Sequence, residues 1–152
     1  VLEWHFQSDH AFDARATRKE FMDYLHGVCT VDSDFEASEI VFGELIANVI
    51  RHAPGPIEIL SRADNPAVML YIWDSGNGFA LQPQLPHDPC SDRGRGLFIV
   101  SSLCKEFSVR CTSGGLNQVC VLLPVMTHPK GSEPRIEPQS AVPRIVRNRD
   151  SG

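Results

Sequence analysis

A chain of 152 residues, 42% hydrophobic and 22% charged, is long enough for one domain with a real core and too short for two full ones. Its composition excludes the disordered and membrane-spanning classes, because no apolar run approaches the roughly 20 residues that a bilayer crossing needs. The net charge of −5 is uneven: residues 125–152 carry five Lys/Arg against three Asp/Glu, which leaves residues 1–124 at −7, a poor general binder of nucleic acid and better suited to a basic protein partner.

In chain order, Leu2 to Gln7 alternates with Trp4 and Phe6 on one side and predicts an edge or half-buried strand. From about Ala11 to Cys29 the period turns helical, with Phe12, Ala16, Phe21, Tyr24, Leu25 and Val28 near one stripe. Ser33 and Glu36 have the spacing of a capping box and predict a second helix starting there, whose buried face is Phe42, Leu45, Ile46, Val49, Ile50 and Ala53. Pro54-Gly55-Pro56 ends it.

Ile57–Ser61 and Ala67–Trp73 read as a hairpin around the polar turn Ala63-Asp64-Asn65-Pro66. The Gly/Pro-rich stretch that follows Asp74, to about Arg93, has no clear period, and a loop of that length inside a compact domain is usually functional, so it reads as a lid. A short helix at Leu97–Lys105 and two strands, Phe107–Cys111 and Val119–Leu123, joined through Ser113-Gly114-Gly115, complete the body at residues 1–124. Residues 125–152 are Pro-rich and aperiodic and are expected to form a mostly disordered tail. The five cysteines, at 29, 90, 104, 111 and 120, contain no Cys-x-x-Cys pair and are odd in number, which argues against a zinc site or a disulfide framework and for a reducing cytoplasm. No basic segment followed by an apolar stretch marks a secretory signal, and the start at Val1 without Met fits a processed or excised piece of something longer.

Three short patterns carry chemistry. On the second helix Glu44 and Asn48 are four apart and share a face, with Arg51 and His52 a turn further on. Such residues are ordinarily solvated, but a mid-helix Asn is an indifferent helix former whose neutral amide oxygen suits a hard cation such as Mg²⁺. Next, Asp74-Ser75-Gly76-Asn77-Gly78 ends an apolar strand. This can be a plain turn, or a carboxylate that accepts a hydrogen bond from an amino group such as that of adenine, with glycines that let a flat base approach the backbone. Third, Arg93-Gly94-Arg95-Gly96-Leu97 opens a short helix, where exposed amides and the helix dipole favour phosphate and two arginines add charge. His52 reads best as a structural histidine, and Tyr71 with Trp73 as core or sheet-face packing.

Taken together and in this order, Glu44 to Ala53, Asp74 to Gly78 and Gly94 to Leu97 resemble the GHKL ATPase superfamily, whose members carry a histidine-kinase-like ATPase domain. The compact length and the Gly-Arg-Gly-Leu-Phe form of the last loop are similar to its anti-sigma-factor serine/threonine kinase branch. The resemblance implies an α/β two-layer sandwich of the Bergerat type, a mixed, mainly antiparallel sheet with helices on one face. It implies ATP and Mg²⁺ as ligands, Glu44 as catalytic base, Asn48 as magnesium ligand, and Asp74 on the adenine amino group. Gly76 and Gly78 would shape the base pocket, and Arg93, Gly94, Arg95, Gly96 and Leu97 the phosphate loop. It further implies an anti-anti-sigma (STAS-type) protein and a sigma factor as partners, and a homodimer. Where the family has a Gly-Thr pair entering the final strand, this chain has Leu116-Asn117, and Asn117 is the donor left to contact the nucleotide. That departure keeps a second reading alive, a nucleotide-binding regulatory module that sequesters a protein partner without kinase turnover. A third, the ATP-binding half of a histidine kinase, is weaker, since no His-bearing dimerisation helix is present and the lid is short.

Overall fold

The computed structural model describes residues 2–9, 12–52, 55–76 and 95–129. Along these run β1 (Leu2–Ser8), α1 (Ala14–Val28), α2 (Phe35–His52), β2 (Ile57–Asp64), β3 (Ala67–Asp74), α3 (Arg95–Leu103), β4 (Glu106–Cys111) and β5 (Asn117–Leu122). The strands form one sheet in the order β1-β2-β3-β5-β4, and every pairing is antiparallel. A two-layer α/β sandwich with a mainly antiparallel sheet is therefore what the chain adopts. β5 is inserted between β3 and β4, which makes β3 and β5 central neighbours.

The period of two in β3 sorts its side chains. Val68, Leu70, Ile72 and Asp74 are buried, whereas Met69, Tyr71 and Trp73 lie half-buried on the opposite face. The first set meets the helices: Phe21 of α1 and Phe42 of α2 stack with centroids 4.2 Å apart, and Trp4 of β1 closes on both. Tyr71 and Trp73 stack on each other on the half-buried face, so of core and sheet-face packing the fold takes the second. Burial of Leu25, Leu45, Ile59 and Val121 in the same cluster supplies the hydrophobic term, roughly 1.5–3 kcal/mol per fully buried side chain.

Both long helices start on an aspartate. Asp13 accepts from Arg15 N and Ala16 N and caps α1, so that helix begins at Ala14 rather than near Ala11. In α2 the cap is Asp34, which accepts from Ala37 N at 3.0 Å, and not Ser33. The reason is competition: the Ser33 hydroxyl pairs instead with the backbone of Met126, whose N–H donates to it at 3.0 Å. Replacing Asp34 by Ala should cost about 0.5–2 kcal/mol, read as a lowered denaturant midpoint at unchanged slope.

Beyond Pro124 the chain stays tied to the body as far as His128, whose N–H donates to Val28 O. Val125 is in the core, Thr127 bridges Cys29, and Thr127 N donates to Pro66 O. Burial pushes the Cys29 thiol up to about 11, which keeps it protonated and inert. The hairpin between β4 and β5 turns on Gly115, whose φ of 79° suits glycine. Among the described residues no helix is long and apolar enough to cross a membrane. The expected lid from Asn77 on and the tail from Lys130 onward lie outside the described residues.

Candidate functional site

The antiparallel register of β3 and β5 sets Asp74 directly opposite Asn117. Both point to the helix-covered face, and both are buried, Asp74 to 2% and Asn117 to 8% exposure. A carboxylate so placed is costly unless its oxygens find donors. Oδ1 finds two: Gly76 N donates to it at 2.9 Å, and Asn117 Nδ2 at 2.9 Å. The second Asn117 N–H goes to the Gly76 carbonyl at 2.8 Å. Three residues thus form one closed knot at the end of β3. Asp74 Oδ2 is different: it is buried, and among the described residues nothing donates to it.

A second grouping lies where α2 meets α3. Glu44 and Asn48 occupy successive turns of α2 and are half-buried. Gly96 stands in the first turn of α3, and a Cβ there would fall 2.5 Å from Glu44 Oε2. Only a residue without a side chain lets the Glu44 carboxylate lie this close to the start of α3. That carboxylate thereby lies beside a helix N-terminus, whose amides and dipole attract negative charge.

Of the other residues expected to act, Arg95 opens α3 and Leu97 follows two residues on, both half-buried. Leu116 is exposed on the hairpin. Gly78, Arg93 and Gly94 lie outside the described residues, as do Cys90 and the side chain of His52. So the fold joins Asp74 to Gly76 and Asn117 by hydrogen bonds and Glu44 to Gly96 by contact, while Asn48 is placed one helical turn from Glu44. Two couplings were not foreseen from the sequence. The Asn117–Asp74 bond has a faint signal, an acid at the end of one strand and an amide at the start of another; the Glu44–Gly96 contact has none.

A groove of about 260 Å³ between α1 and α2, with Arg15, Arg18, Phe42 and Ile50 among its walls, is elsewhere. It faces α1, whereas Glu44 faces α3.

Comparison with known proteins gives three findings. No curated protein matches the chain. Among solved structures, the histidine kinase AdeS of Acinetobacter baumannii is similar with a TM-score of 0.47 and 20% identity, over 78% of this chain and 67% of that one. The family model described as the histidine kinase-like ATPase domain matches residues 6–123, from β1 through the end of β5, and so takes in every described residue of both groupings. The chain belongs to the histidine kinase-like ATPase domain family.

Proposed function

We propose that the chain binds Mg-ATP and transfers its terminal phosphoryl group to a serine or threonine hydroxyl on a small anti-anti-sigma (STAS-type) protein, and that it also holds a sigma factor. The observation that carries the nucleotide part is the buried, undonated Oδ2 of Asp74. An acceptor left without a partner in a dry site costs about 1–3 kcal/mol, more for a charged group, and the exocyclic amino group of adenine is the donor that relieves it. Gly76 keeps the adjoining backbone bare for a flat ring.

The start of α3 suits the phosphates, with Gly96 and Leu97 presenting backbone amides and Arg95, with Arg93, adding charge. Mg²⁺ is ordinarily bound through one or two protein oxygens, with phosphate and water completing its shell. The amide oxygen of Asn48 fits that pattern, and no cluster of three or more acidic or imidazole ligands is needed, nor is one present among the described residues. When bound, the metal supplies neutralisation of charge on the phosphate oxygens. Glu44 does the remaining chemistry. It orients the incoming hydroxyl and takes its proton as the new oxygen–phosphorus bond forms and the bond to ADP breaks, so positioning and charge dominate.

The contact between Glu44 and Gly96 makes a separate prediction. Gly96→Ala places a methyl group where Oε2 now lies, and the carboxylate, the far end of a flexible chain, swings aside. Stability should hold or rise, since Ala is about 1 kcal/mol better than Gly within a helix. Transfer should fall by roughly tenfold to a hundredfold, as displacements of about 1 Å at a reacting centre do. A melting curve and a single-turnover assay on the same preparation check both halves.

A second reading, a regulatory module that binds nucleotide and a partner without turnover, is favoured by one feature: both amide hydrogens of Asn117 are committed within the protein, where the family carries a Thr hydroxyl. Incubation with labelled Mg-ATP and an anti-anti-sigma-like protein separates the two. Label on a serine or threonine of that protein supports the kinase; partner binding that depends on nucleotide without any label supports the module.

A further inference from the structure

We infer that the face of the sheet opposite the helices is the docking surface for this chain's own C-terminal segment, residues 130–152. The inference stands apart from the nucleotide reading, because Asp74 points to the other face.

Cross-strand partners point the same way, so the register sets Leu60, Tyr71 and Cys120 side by side, with Met69 and Leu122 in the next row and Trp73 in the row beyond. All six are half-buried. On the edge strands the same face carries Glu3 and His5 of β1 and Glu106 and Arg110 of β4. An antiparallel sheet with one solvated face alternates apolar with polar residues. β1 and β4 keep to that rule on this face. β3 and β5 break it, because Leu70, Ile72, Val119 and Val121 fill one side while apolar residues also hold the centre of the other. An apolar centre inside a charged border is the layout of a protein interface.

The exit point, the charge and the sequence of the C-terminal segment name it as the occupant. The chain leaves the body beside this surface: Asn65 Nδ2 donates to His128 O at 3.4 Å and Thr127 N to Pro66 O, both at the turn between β2 and β3. From there residues 130–152 reach up to about 75 Å when extended, against about 26 Å for the eight residues of β3, so the segment is long enough to cross the face. It holds five Lys/Arg against three Asp/Glu, whereas residues 1–124 stand at −7. That balance draws the segment to the body and sets a second body against the first. Finally, residues 134–136 and 143–145 both read Pro-Arg-Ile. Proline favours the extended backbone that aromatic surfaces bind. The arginines suit the faces of Tyr71 and Trp73, and the isoleucines suit Leu60, Met69 and Leu122.

The test uses the full chain, as wild type and with Ile136→Asp and Ile145→Asp together, changes that lie outside every strand and helix. Methyl NMR of the wild type should give contacts from the δ1 methyls of Ile136 and Ile145 to the rings of Tyr71 and Trp73. In the variant these contacts vanish, and the Met69 and Leu122 methyls and the Trp73 indole shift. Leu70 and Ile72, on the helix-covered face, keep their positions. A fluorescein-labelled peptide of residues 130–152, followed by anisotropy, should bind the variant and bind the wild type roughly tenfold more weakly, because the wild type's own segment competes at an effective concentration near millimolar. Absence of any contact between either isoleucine and the face in the wild type overturns the inference, and so does equal peptide affinity for the two chains. Sedimentation decides the remaining case. If the face signals shift only as the chain dimerises, and identically in wild type and variant, a second copy is the occupant and the inference fails.

Discussion

Glu44→Gln is expected to lower phosphoryl transfer by about 10²–10⁴-fold while ATP affinity stays within a few-fold. The substitution conserves shape, so the side chain still fits against Gly96, where a side chain on the neighbouring helix would collide. What it removes is basicity. A neutral amide cannot take the hydroxyl proton as the new ester bond forms, and the general-base contribution is lost. The hydrogen bonds of the Asp74–Gly76–Asn117 knot do not involve Glu44, so the proposed base-binding end should stay intact. Loss of negative charge beside the start of α3 should, if anything, ease the approach of phosphates, since that helix end attracts anions. Single-turnover transfer to the protein substrate and calorimetry with ATP measure the two quantities independently. Equal losses in both would mean that Glu44 supports the nucleotide rather than the chemistry.

How much of this was legible in the residues differs from element to element, and the differences have physical causes. β3 was legible as a central strand, because Ala67–Trp73 is apolar throughout, but such a run does not say which face is buried, and the inward direction of Asp74 comes from the fold. The helices were legible as helices, although Ala16 and Ile50, expected on the apolar stripes, are exposed, and they were less legible at their starts. Ser33 and Asp34 are both good cap residues, and the choice between them was made by Met126, more than ninety residues away in sequence, which engages the Ser33 hydroxyl. Local pattern holds no record of such a competitor.

The same limit governs the site. Asp74 and Gly76 stand together in one short motif, and their hydrogen bond is a local turn. The partner across the sheet depends on β5 entering between β3 and β4 and on its register, and neither is encoded near Asp74. Read alone, Asn117 is a donor without an assigned acceptor. The fold gives it two, both inside the protein. Likewise, Gly96 looked like a means of exposing amides, and the structure adds that it makes room for Glu44.

Asp74→Asn separates a buried carboxylate's internal role from its external one. The amide oxygen can sit where Oδ1 sits and still accept from Gly76 N and Asn117 Nδ2, so the knot that holds the end of β3 to β5 can persist. The amide nitrogen then takes the place of Oδ2, the carboxylate oxygen to which nothing donates among the described residues. An acceptor facing the ligand becomes a donor, and an adenine amino group would meet another N–H₂. Hydrogen bonds to charged groups contribute about 1.5–3 kcal/mol, and each 1.4 kcal/mol is tenfold, so ATP affinity should fall by roughly 10- to 150-fold. Thermal stability should change little or rise, because a buried charge has been removed and its internal bonds are retained. Calorimetry beside a melting curve reads both. Strong ATP binding that is equal in Asp74→Asn and the wild type would take the base away from Asp74, and with it the main support for a nucleotide at the end of β3.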